Sequence, residues 1–156
     1  MIAKIISGGQ TGADRGGLDA AIELNIPHGG RCPRGRLAED GVIPVKYRLQ
    51  EMNSPDYLKR TEQNIVDSDA TVVFTYGAPS GGSKRTVQFA ARHKRPCLHA
   101  DLTRPADAVV EQVKTWLETL GEGIVLNVAG SRESKHAGIQ DMVREIMINV
   151  LKPKLS

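Results

Sequence analysis

A β-type run, Ile2–Ser7, passes through the glycine-rich turn Gly8-Gly9-Gln10-Thr11-Gly12 into an amphipathic helix, Asp14–Leu24. That order, strand then loaded turn then helix, recurs along the chain and constrains its fold more than any other feature. Further strands are expected at His28–Gly30, Ala70–Tyr76, Pro96–Ala100 and Gly123–Val128. Helices are expected at Asp56–Asp67, capped by Ser54 or Asp56, and at Ser83–His93, Ala106–Leu120 and Gly138–Leu151. Between the second strand and second helix, Arg31–Leu49 reads as a long loop rich in charge, Gly and Pro. Strands alternating with helices build an α/β fold, an open parallel sheet with helices on both faces. Ile139, Met142, Val143, Ile146, Met147 and Val150 recur at helical spacing in the last helix and are expected in the core. Trp116, beside Val113 and Leu120, reads as core or an oligomer contact.

Open parallel sheets bind ligands beyond the carboxyl ends of their strands. The chemically loaded segments of this chain follow strands: Gly8–Arg15, Gly77–Arg85 and Ala129–Lys135. In the first, backbone N–H groups and a helix N-terminus suit an anion, with Thr11 adding a hydroxyl and Arg15 a charge. In the second, Gly77 and Gly82 have P-loop spacing, but Lys84 comes one residue late. One residue turns a helical side chain by about 100°, which argues against a nucleotide triphosphatase. An anion-binding turn with Gly81, Gly82, Ser83 and Thr86 as donors remains. In the third, Asn127, Gly130 and Arg132 could hold the polar edge of a ligand, or Arg132 and Glu133 could be a surface pair.

The long loop carries Arg31, Arg34 and Arg36, which need an anion or carboxylates among them; Glu39 and Asp40 read better as salt-bridge partners than as an acid–base pair. Arg60, Thr61 and Asn64 share one side of the second helix, facing a ligand or water. His28, His93, His99, His136, Cys32 and Cys97 lack metal-ligand spacing. The arginines near Cys32 would lower its pKa, but it reads as a plain loop cysteine. Two distant cysteines suggest a reducing compartment. The lack of a signal-peptide pattern and of a membrane-length apolar run points to a cytoplasmic protein. Aromatics make up 4% of the chain and the formal charge is +3, too little to imply nucleic acid or a membrane as partner.

The series Gly8-Gly9-Gln10-Thr11-Gly12-Ala13-Asp14-Arg15, Gly35-Arg36…Glu39-Asp40-Gly41, Arg60-Thr61-Glu62-Gln63-Asn64, Gly81-Gly82-Ser83 and Leu126-Asn127-Val128-Ala129-Gly130 resembles the molybdenum cofactor carrier proteins. The resemblance runs from about Ile2 to Ile148. It implies one Rossmann-like domain over residues 1–156, related to the lysine-decarboxylase-like phosphoribohydrolases. It further implies a homo-oligomer, often a tetramer, that binds and protects molybdenum cofactor, with apo-molybdoenzymes as possible recipients. That ligand is an anionic pterin (molybdopterin) with a dithiolene, a molybdate centre and a terminal phosphate. Anion and phosphate contacts would fall to Gly8–Arg15 (Gly8, Gly9, Gln10, Thr11, Gly12, Asp14 and Arg15) and to Gly81, Gly82, Ser83 and Thr86. Arg36, Arg60 and Asn64 are second-rank candidates. No catalytic residue and no protein metal ligand are assigned.

Two alternatives stay open. The related phosphoribohydrolases cleave a base from a nucleoside monophosphate with a glutamate on the helix after the glycine-rich loop. Here Gln88 or Phe89 falls about where that glutamate belongs, although Glu39 or Glu62 could substitute from elsewhere. The third reading is a sensor domain for a nucleotide ligand.

Overall fold

The computed structural model describes residues 2–152. Its main sheet has five parallel strands in the order β2-β1-β9-β7-β8. These are β1 (Ile2–Ile6), β2 (His28–Gly29), β7 (Ala70–Thr75), β8 (Cys97–Asp101) and β9 (Ile124–Gly130). The helices are α1 (Ala13–Glu23), α2 (Tyr57–Asp67), α3 (Gly81–Arg92), α4 (Ala106–Leu120) and α5 (Ile139–Leu151). The open α/β, Rossmann-like arrangement agrees with the expectation, and element ends differ by one or two residues. The long loop differs more. It folds into two small ladders, a parallel pair of β3 (Arg31–Cys32) with β6 (Gln50–Glu51) and an antiparallel hairpin of β4 (Leu37–Ala38) and β5 (Gly41–Val42). Two-residue strands are too short for side-chain alternation to be legible in a sequence.

Strand β7 is buried along its whole length, as its run of Ala, Thr, Val and Phe requires. Its alternate residues Ala70, Val72 and Phe74 enter the main core with α1, α4 and α5. The other face is covered by α2 and α3, whose Ile65, Phe89 and Ala90 form a separate cluster with Cys97. Ile139, Val143, Ile146, Met147 and Val150 of α5 lie in the core, whereas Met142, at the margin of the stripe, is 38% exposed. Trp116 packs against the core partly buried.

Helix α1 sits close because of its glycines. A Cβ on Gly17 would lie 2.6 Å from Val128 Cβ on the central strand β9. Gly12, the residue that enters α1, has φ +86°, and a Cβ there would lie 2.3 Å from the backbone oxygen of Ser131. Both the conformation and the space exclude a side chain. A Gly12→Ala variant is expected to lose about 3 kcal/mol, roughly 10 °C in Tm, measured by thermal unfolding.

Candidate functional site

The chain runs from β1 outward to β2 on one side and from β7 outward to β8 on the other, then returns to place β9 between β1 and β7. The loops leaving β1, β7 and β9 therefore diverge at one end of the sheet and leave a crevice. A cleft of about 160 Å³ opens there, lined by residues of all three loops and of α2. The sequence candidates Gly8, Gln10, Asp14, Arg60, Asn64, Gly81, Gly82, Ser83 and Thr86 line it. Asn127, Gly130 and Arg132 from the third loaded loop line it too, as does Thr61. Gly9, Thr11, Gly12, Arg15 and Arg36 are not among its lining residues.

Those five have other work. Arg15, buried, grips Asp40 at 2.6 and 2.9 Å and donates to the Gly9 oxygen at 3.0 Å. Thr11 donates its hydroxyl to Glu39. Arg36 turns its guanidinium onto the carbonyls of Ile43, Pro44, Leu49 and Tyr47 and gathers the long loop around itself. The N-terminus of α1, expected to face an anion, is closed by the protein. Ala13 N–H donates to Ser131 O at 3.1 Å, and the Asp14 carboxylate accepts from Gln10 N–H at 3.2 Å. An internal carboxylate thus holds the place where an external anion was expected.

The N-terminus of α3 is open. Ser80 precedes the helix without capping it by its side chain, and its hydroxyl instead meets the Lys135 ammonium. The first-turn N–H groups of Gly81 and Gly82 have no intrahelical acceptor. A Cβ on either glycine would meet nothing within 4 Å. Ser83 is buried beside them, and Thr86 donates its hydroxyl to Gly82 O at 3.0 Å. Arg60, Arg132 and Lys135 complete the cationic surround. Ser80 and Lys135 lie within two of the loaded segments but were not singled out as contact residues, and no local pattern pointed to Tyr57, which α2 brings to the cleft.

The floor of the cleft is polar and internally paired. Arg60, 7% exposed, donates to Asp14 at 3.3 Å and to Tyr57 O at 3.3 Å. Gly8 lies beneath it, and a Cβ there would fall 1.6 Å from Arg60 Nη1. Burial pushes the Asp14 carboxyl above its ordinary range, with Arg60, the Gln10 N–H and Arg15 opposing. Asn64 holds β3 through both ends of its amide, accepting from Arg31 N–H at 2.8 Å and donating to Arg31 O at 3.0 Å. On the other side of the sheet edge, burial pushes the Cys32 thiol up despite Arg36 and Arg60 nearby. Among the described residues no group of three or more His, Cys, Asp or Glu could hold a metal ion, and no helix is long and apolar enough to cross a membrane.

Several carboxylates that brace the surrounding loops are held low. Partial desolvation opposes the shift at Glu39, but hydrogen bonds from Ser134 and Thr11 and the charge of Arg132 lower it. The Arg15 fork lowers Asp40. N–H groups of Thr103 and Gly77 bring Asp101 down to about 2. A carboxyl lowered by folding stabilises the fold above its unfolded value and loses that effect as pH falls through its folded value. Asp14, raised, works in the opposite sense and favours the fold as it protonates. Stability to urea is expected to fall between about pH 4 and pH 2, and Asp101→Asn is expected to flatten that fall, measured as unfolding midpoints across the range.

The circularly permutated YpsA SLOG family matches residues 5–151. No curated protein matches the chain at a significant level. The crystal structure of a protein from Syntrophus aciditrophicus SB, named "Putative molybdenum carrier protein", is 46% identical in sequence and superposes with a TM-score of 0.92. The match covers 96% of this chain and 95% of that one. With nearly its whole length matched in both sequence and shape, the chain belongs to the circularly permutated YpsA SLOG family.

Proposed function

We propose that the protein binds molybdenum cofactor as cargo in the cleft at the ends of β1, β7 and β9, and protects, stores and carries it without turnover. One observation carries the proposal. The open first turn of α3 faces the same cleft as Arg132 and Lys135. A terminal phosphate suits that turn, where backbone N–H groups, the helix dipole and exposed cationic side chains converge. The oxo groups of a molybdate centre need hydrogen-bond donors, which Ser80, Ser83 and Ser131 offer along the lining. The name of the Syntrophus protein speaks of carrying molybdenum, the metal of this cargo. The reading takes residues 1–156 as one domain that acts in the cytoplasm as a homo-oligomer, a tetramer, and hands its cargo to apo-molybdoenzymes.

Binding without hydrolysis has its own support. Of the two glutamates that could replace the missing base, Glu62 is tied to His93 at 2.7 Å and to Arg92. Glu39 is tied to Ser134 and Thr11. Neither lines the cleft, and the carboxyl that does, Asp14, is paired with Arg60.

Anaerobic loading with molybdenum cofactor followed by gel filtration tests the proposal. Stoichiometric pterin and molybdenum in the protein peak are expected, with no base released from nucleoside monophosphates run alongside. An empty peak with released base would move the assignment to a phosphoribohydrolase. Gly82→Asp puts a negative charge into the open first turn of α3, where it helps the helix and opposes the cargo. Unchanged Tm with affinity reduced at least about ten-fold is expected.

A further inference from the structure

A second recess of about 200 Å³ adjoins the cleft, lined by Pro33, Leu37, Ala38 and Pro55. Gly8, Gln10, Tyr57 and Arg60 line both spaces, so the two are neighbouring compartments with a shared wall. Their chemistry differs. The cleft has the helix N-terminus, Arg132 and Lys135. The recess has two prolines, which offer no N–H, and Arg60, whose charge already answers Asp14. A phosphate has little to hold it in the recess.

Tyr57 gives the recess its character. The chain has one Trp, three Tyr and two Phe. Phe74, Phe89 and Tyr47 are buried, Trp116 packs on the core, and Tyr76 lies against His136 with ring centroids 4.8 Å apart. Tyr57 is 55% exposed, at the shared wall, and Leu37 across the recess is equally exposed. Tyr57 begins α2, and its backbone oxygen, not its ring, holds Arg60 and Thr61. The ring therefore stands free of the fold's own bonding. A flat heteroaromatic ring can stack on a tyrosine face and on a guanidinium plane, and apolar Leu37 and the prolines can cover its other side.

We infer that the recess is a ring subsite, which takes the planar heterocycle of a two-ended ligand whose phosphate lies at the N-terminus of α3, with Tyr57 the residue that selects for the ring. This deepens the cofactor reading and rests on it for the identity of the phosphate end. It makes the protein a reader of both ends of its ligand, with Arg60 between them.

The test compares three probes on the full chain: 6-hydroxymethylpterin, its phosphate ester, and inorganic phosphate. Binding of the pterins is read by their fluorescence, and that of phosphate by calorimetry. In the wild type the ester is expected to bind tightest. Tyr57→Ala is expected to weaken both pterins about ten-fold and leave inorganic phosphate unchanged, while Tyr57→Phe restores the ring effect. Gly82→Asp is expected to weaken the ester and phosphate and spare the free pterin. Equal pterin affinities in wild type and Tyr57→Ala would overturn the ring subsite, even where molybdenum cofactor loads. Failure of cofactor loading with an intact Tyr57 effect would overturn the cofactor reading and leave the ring subsite standing. A change of oligomeric state in Tyr57→Ala on gel filtration, with pterin affinity unchanged, would assign the exposed ring to a second copy of the chain and overturn the inference.

Discussion

The arrangement at the end of the sheet depends on one buried ion pair, Arg60 with Asp14. Asp14 lies in the first turn of α1 and Arg60 in α2, so the pair spans the sheet's end from one helical layer to the other. Removing either partner would leave a charge buried without its counter-ion, which costs far more than the pair itself contributes. Gly8 supplies the room, because any side chain there would occupy the guanidinium's place. The cleft above and the recess beside it are shaped around this one contact.

From it follows an unequal use of the two glycine-rich turns. Both begin helices after parallel strands, and both invite an anion by the same physics. The first is satisfied from within, by Asp14, by Ser131 O and by the braces that Glu39 and Asp40 throw across to Ser134 and Arg15. The second keeps its N–H groups and its glycines open to the cleft.

Much of this was legible in the sequence. Alternating strands and helices led to the open parallel sheet, and the rule that ligands bind beyond strand ends picked out the three loops that do converge. Ser83, Arg60 and Asn64 come together as side chains on helices that were readable, and Gly81 and Gly82, read as a turn before the helix, form its first turn. What could not be read is which charges are already answered. Arg15 looks like an anion donor until Asp40, 25 residues on, is seen folded against it. Arg36 looks like one until its carbonyl partners close around it. Partnerships across a long loop are set by tertiary packing and carry no local period. The same reason hid Tyr57, whose position depends on how α2 returns to the sheet's end, and hid the pairing of Lys135 with Ser80, 55 residues apart.

The open first turn of α3 also bears on how such a protein can change over generations. A side chain on Gly82 would meet nothing within 4 Å, the residue lies outside the left-handed region, and Arg132 and Lys135 reach in from the surface. Substitutions there alter the chemistry met by a ligand with little effect on stability, while the Gly12 joint tolerates almost none. A lineage could therefore exchange one anionic cargo for another without first crossing a threshold of unfolding. The fold separates the part that must persist from the part that is free to drift.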